Sequence, residues 1–154
     1  MYDITPVTTA HHTACGPACL KMLLAYYGHD AELDDLIREC GMSVNGCSAK
    51  DVLRVGRAHG LADMAAYRED ADALLRQDRP AIIHWRYNHF VVYCGLNDKG
   101  EPVISNPGRG QYPIDVGTFA TLYTGVALVN GHPVDLLPED YFGENEPEPN
   151  YFDE

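Results

Sequence analysis

The chain has 154 residues, 45% of them hydrophobic, and carries 11 Lys and Arg against 23 Asp and Glu, a formal net charge of −12. That length and apolar content suit one folded domain with a substantial core and exclude general disorder. No run of about 18 apolar residues occurs, so no membrane insertion is expected. The acidic excess argues against nucleic-acid binding through phosphate contacts. It is also concentrated: nine acids and no Lys or Arg follow Arg109, while residues 1–109 hold 14 acids against 11 bases.

The opening Met1-Tyr2-Asp3-Ile4-Thr5-Pro6 lacks the basic and apolar regions of a signal peptide. The expected location is cytoplasmic, with delivery by a signal-independent secretion system left open. The cysteines at 15, 19, 40, 47 and 94 are odd in number and form no CxxC pair. They read as reduced thiols buried as small hydrophobes rather than as a disulfide framework.

Residues 1–13 are Thr-rich and read as extended. A helix is predicted over 15–27: Pro17 suits a first turn, Leu20, Leu23, Leu24 and Tyr27 recur on one apolar face, and Gly28 suits the stop. A second helix is expected from Ala31 to Cys40, ended by Gly41, and a turn-rich loop follows through Cys47. Ser48 and Asp51 have capping-box spacing at the head of a third helix, Ala49 to His59. A short strand over 61–67 and a short helix over 70–77 precede two strong strands, Ala81–Trp85 and His89–Leu96. The continuous apolar run of the latter marks it as buried. Asn97-Asp98-Lys99-Gly100 is a hairpin turn into a strand at 102–105, which Asn106-Pro107-Gly108 ends. Arg109, between Gly108 and Gly110, reads as part of that turn, with a substrate-facing arginine as the alternative. A helix over 115–122 and a last strand over 125–129 complete residues 1–131, taken as one domain. Residues 132–154 form an acidic, Pro-rich tail, read as a linker or as a docked or partner-binding segment. Helices first and antiparallel strands afterwards make an α+β domain with the first helix packed on a sheet.

The chemistry centres on Cys15. A helix N-terminus offers free N–H groups and a partial positive charge, and both favour a thiolate. Hydrolysis by a cysteine further requires an imidazole, a group to orient it, and donors for the oxyanion. His89 opens a buried strand, and Asn106 ends the next one, where its amide oxygen can accept from the imidazole N–H. Cys19, one turn beyond Cys15, reads as core. His11, His12, Cys15 and Cys19 lack the second ligand pair that zinc sites draw on, so no metal or other cofactor is expected. Trp85 and Asn45 are candidates for the walls of a substrate cleft.

Cys15-Gly16-Pro17-Ala18-Cys19-Leu20-Lys21-Met22 with Tyr26-Tyr27-Gly28, then His89-Phe90-Val91-Val92, then Ile104-Ser105-Asn106-Pro107, resembles the C39 peptidase family over roughly residues 5–130. The resemblance implies a papain-like fold, with Cys15 as nucleophile, His89 as base and Asn106 at the usual Asp position. It also implies cleavage of leader peptides after a double glycine, with the peptide and an export ABC transporter as partners. Two positions depart from the pattern. The family's Gln six residues before the cysteine is Thr9 here, and the acidic residue just before the cysteine is Ala14. The Cys15 backbone N–H then needs a second oxyanion donor, for which Thr9, His11 and His12 are the candidates. Two other functions suit the same residues: an antibacterial protease effector held by an immunity protein, and a module that binds peptide without cutting it.

Overall fold

The computed structural model describes residues 1–41 and 47–131. The loop residues 42–46, Asn45 among them, and the acidic segment 132–154 lie outside the described residues, as does the His12 side chain. The elements are α1 (Cys15–Tyr26), α2 (Leu33–Cys40), α3 (Ala49–Ala58), β1 (Met64–Arg68), α4 (Ala71–Leu75), β2 (Ala81–Trp85), β3 (His89–Leu96), β4 (Pro102–Asn106), β5 (Gly110–Pro113), α5 (Val116–Leu122) and β6 (Tyr123–Asn130), with a 3-10 turn over His12–Ala14 leading into α1.

Local chemistry sets most of the element ends. Gly41 stops α2 with a left-handed φ of 66°, a conformation that glycine alone adopts without steric cost. Ser48 Oγ accepts from the Asp51 N–H at 3.0 Å and heads α3. Asp70 and Asp115 cap α4 and α5 in the same way, on the N–H groups of Ala73 and Thr118. Each such cap satisfies an amide that the helix itself cannot.

The six strands form one antiparallel sheet in the order β1-β6-β2-β3-β4-β5. The final strand therefore inserts between the first two. The four-residue β5, which has no apolar alternation and ends in Pro113, is absent from the sequence-level reading. It exists because Asn106 pairs with Gly110 across the tight turn after β4.

Alternation along the central strands feeds two cores, one on each face of the sheet. Ile82, Phe90, Val92, Cys94, Val126 and Leu128 point to the side of α1, α2 and α3. Ile83, Val91, Tyr93, Ala127 and Val129 point to the other side, where Leu74 of α4 and Phe119 of α5 complete a second cluster. The sheet is thus the middle layer, which explains why β2 and β3 read as continuous apolar runs.

The expectation of a single apolar face on α1 is corrected. Ala18, Cys19, Leu20, Met22, Leu23 and Leu24 are all fully buried, because α1 packs against β2, β3, α2 and α3 together. A helix enclosed this way is hydrophobic around most of its circumference. Gly16 belongs to the same packing: a Cβ there would lie 3.2 Å from Val52 Cγ2 of α3.

Candidate active site

Two strand ends and one helix start meet at a single place. The β2–β3 hairpin closes with Trp85 paired to His89, through Tyr87 and Asn88 at φ 68° and 58°, so His89 stands at the first position of β3. Cys15 is the first residue of α1, and its Sγ accepts from the backbone N–H of Phe90 at 3.4 Å. The thiol is therefore anchored to the residue that follows His89. Asn106 ends β4, and its Oδ1 lies 2.7 Å from His89 Nε2.

The hydrogen bonds settle the protonation pattern. The backbone N–H of Gly108 donates to Asn106 Oδ1 at 2.9 Å, and a backbone amide has only a proton to offer. The amide oxygen is thus the atom that faces His89, and Nε2 must carry the proton it donates. In neutral His89 the lone pair then lies on Nδ1. The Asn106 Nδ2 donates in turn to Tyr112 Oη at 3.0 Å. Arg109 belongs to the turn after β4, as expected, with its N–H donating to the Asn106 carbonyl at 2.9 Å, and its guanidinium lies over the Tyr112 ring at 4.4 Å from the centroid.

Cys15 and His89 share the lining of a cavity of about 280 Å³ with Thr9, Ala10, His11, Pro107 and Gly108. The Thr9 N–H donates to the Pro107 carbonyl at 2.8 Å, which ties the N-terminal segment to the turn after Asn106. Thr9 Oγ1 accepts from the His11 N–H at 3.2 Å, a bond that uses a lone pair of the hydroxyl and not its proton.

Helix-terminus electrostatics alone predicts a depressed thiol pKa at Cys15, and this is corrected. Burial pushes the Cys15 thiol up, and the N–H groups of Phe90, Gly16 and Cys15 itself offset that only in part. Cys15 is 6% exposed, and removing an anion from water outweighs a few dipoles at that depth. Forming the thiolate here requires a cation beside it, and the cavity lining offers two imidazoles, those of His11 and His89.

Trp85, expected at the cleft wall, is placed elsewhere. Alternation along β2 sends it to the second core, with its ring 5.4 Å from that of Phe119, and it does not line the cavity. Cys19 is core. His84, within β2, is a further imidazole close to the site. It is 1% exposed and stacks edge-on against Phe90 at 5.2 Å. Thr124 Oγ1 donates to the His84 carbonyl at 3.2 Å, so at His84 Nδ1, 3.0 Å away, the ring nitrogen is the donor. Burial and the neighbouring His89 push its pKa down to about 3. His84 is therefore a neutral wall behind the site and not a competing base. Its apolar strand neighbours conceal that role in the sequence. Tyr112 was missed for a related reason, because β5 has no periodic signal.

Helices on both faces of an antiparallel sheet, with a cysteine heading the enclosed helix and a His–Asn pair at the adjacent strand ends, match the architecture of papain-like peptidase domains. A family model described as the peptidase C39 family matches residues 3–133, and the chain belongs to that family. It is 32% identical over 124 residues to the colicin V secretion/processing ATP-binding protein of Escherichia coli, a match covering 80% of this chain and 18% of that protein. It is 27% identical over 121 residues to the lactococcin-G-processing and transport ATP-binding protein of Lactococcus lactis subsp. lactis, covering 74% of this chain and 17% of that one. The chain thus spans less than a fifth of the length of these relatives. Among solved structures, a double glycine motif protease from an AMS/PCAT transporter, in complex with the leader peptide, is 31% identical with a TM-score of 0.76, covering 83% of this chain and 91% of that chain. The peptidase domain of a bi-functional Streptococcus ABC transporter involved in a quorum sensing pathway shares the fold at 19% identity and a TM-score of 0.68, with 84% and 97% coverage. Among the described residues, no helix is long and apolar enough to cross a membrane.

Proposed function

We propose that this chain is a cysteine endopeptidase that cuts a peptide bond after a Gly-Gly-type site by a Cys15–His89–Asn106 triad. The observation that carries the reading is the 2.7 Å contact of His89 Nε2 with Asn106 Oδ1, made by an imidazole that shares its cavity with the Cys15 thiol. Cys15 transfers its proton to His89 Nδ1, and the thiolate attacks the scissile carbonyl carbon. The Asn106 oxygen, bound to Nε2–H, stabilises the imidazolium that forms. The Cys15 N–H and the Thr9 hydroxyl hold the oxyanion. As the tetrahedral intermediate collapses, His89 protonates the leaving amine. Water, deprotonated by His89, then attacks the thioester and releases the acyl product with Cys15 regenerated.

Thr9 is taken as the second oxyanion donor because it lines the cavity and the bond from the His11 N–H uses a lone pair of its hydroxyl rather than the proton. Removing one such donor typically costs ~10²–10³ in turnover. Thr9→Val is expected to lower kcat by about that factor with little change in KM.

The substrate class follows from likeness. The 31% identical solved relative is a double glycine motif protease held with a leader peptide, and the curated relatives join processing to secretion or transport. The substrate is accordingly a leader peptide with glycines at the cleavage site, processed in step with an export ABC transporter in the cytoplasm. The same likeness favours maturation over the effector role and its immunity partner.

The test is incubation of the purified protein with a peptide carrying a Gly-Gly site, followed by mass spectrometry. Cleavage after the second glycine, lost in both Cys15→Ala and His89→Ala, is expected. A peptide that binds but stays intact would establish the binding-module reading instead.

A further inference from the structure

The proposed mechanism gives no part to the Tyr112 hydroxyl on β5, although it is bonded to a member of the triad. The Asn106 amide is two-fold ambiguous in shape, and a half-turn about its terminal bond would present Nδ2 to His89. Both nitrogens would then offer protons to each other, and the imidazole would lose its acceptor. Two contacts hold the productive orientation. The Gly108 N–H holds the oxygen at 2.9 Å, and Tyr112 Oη accepts from Nδ2 at 3.0 Å. The first is backbone and is set by the turn itself. The second depends on one side chain, contributed by a different strand.

That side chain is itself held from two directions. The β4–β5 register sets Tyr112 opposite Ile104 and Gly110 opposite Asn106, so the tyrosine reaches diagonally along the ladder to Asn106, within the range of long side chains. Arg109 covers the ring face at 4.4 Å, where the cation meets the negative face of the π-system.

We infer that Tyr112 is a positioning residue: its hydroxyl locks the Asn106 amide so that Oδ1 stays on His89 Nε2–H, with Arg109 bracing the ring. The inference rests on the peptidase reading above for its catalytic consequence. Asn106 is 7% exposed, so an amide N–H deprived of its acceptor there is only weakly compensated by water, and other orientations become populated.

Tyr112→Phe keeps the ring under Arg109 and removes only the acceptor. On a Gly-Gly peptide it is expected to lower kcat about tenfold, with KM held within about twofold and the acid limb of the pH profile, where His89 must be neutral to act as base, moved to lower pH. The limb moves because a less firmly held acceptor stabilises the imidazolium less. Introduced into Asn106→Ala, the same change should have no further effect, since the group it acts through is gone. Exchange of the His89 Nε2–H with water, followed by NMR, should quicken in Tyr112→Phe. An unchanged kcat, or an equal loss in the Asn106→Ala background, would overturn the assignment. If the wild-type protein cuts no Gly-Gly peptide, the peptidase reading fails. The ring-proton exchange then decides the Tyr112 assignment by itself: faster exchange supports it, and unchanged exchange overturns it.

Discussion

His84 links the stability of the fold to pH, with a magnitude that follows from its surroundings. The ring is 1% exposed, and its pKa falls from an ordinary 6.5 to about 3 because burial disfavours the charged form. The unfolded chain therefore binds a proton at this residue below about pH 6.5 while the folded chain does not. Protonation favours the unfolded state, so stability contributed by neutral His84 is complete above the unfolded pKa and is lost as pH falls through the window toward 3. Each pH unit well inside that window costs about 1.4 kcal/mol, so lowering the pH from 7 to 5 costs about 2 kcal/mol at this residue. With a urea m-value of ~1–3 kcal/mol/M, the midpoint should drop by roughly 1 M. Urea melts at pH 7 and pH 5 are the assay, and that range keeps ordinary carboxylates ionised. His84→Asn is the comparison variant, because an amide can still donate to Thr124 but does not titrate. Its midpoint should fall much less between the two pH values, even if it starts lower. An identical pH dependence in wild type and His84→Asn would refute the argument that burial holds this imidazole neutral.

Three further outcomes are expected. Asn106→Ala removes the 2.7 Å bond to His89; a bond of that kind to a cation is worth ~1.5–3 kcal/mol, so kcat should fall roughly 10- to 150-fold, and a loss under twofold in steady-state assays would exclude Asn106 as the orienter. Phe119→Ala empties a fully buried site in contact with the rings of Trp85, Tyr93 and Tyr123; calorimetry should show a loss of ~3–5 kcal/mol and a melting point lower by about 10 °C. Brief alkylation with iodoacetamide in the native state should modify Cys15 first, since its residue lines the cavity, whereas Cys19 is fully buried and Cys94 is pushed up to about 12 by burial; peptide mapping that finds Cys19 or Cys94 modified ahead of Cys15 would contradict this.

Much of the site could be read before any coordinates because its parts lie at element ends, and element ends have local signatures. Cys15 stands at a helix start marked by Gly16 and Pro17. His89 follows a polar turn into an apolar run, and Asn106 precedes Pro107. The capping residues Ser48, Asp70 and Asp115 declare their helices by side-chain chemistry that acts over three residues. Patterns of that range are set by neighbours in the chain, so the sequence by itself determined the helices, the hairpins and the residues to suspect.

Other features answer to groups far away in the chain, and only the tertiary structure decided them. Strand β6 pairs with β1 and β2, both distant from it in the chain, rather than with its predecessor β5, and no local pattern encodes that choice. β5, and with it Tyr112, exists through its pairing with β4 rather than through any propensity of its own. Trp85 faces α5 because the alternation of β2 is tied to two cores that the sequence does not distinguish. The thiol of Cys15 offers the sharpest contrast. Its place at the head of a helix is local and argues for a thiolate, but its burial under β3 is a long-range consequence of packing and pushes the pKa the other way. Desolvation depends on everything that surrounds an atom, so it was decided only when the chain had folded around Cys15.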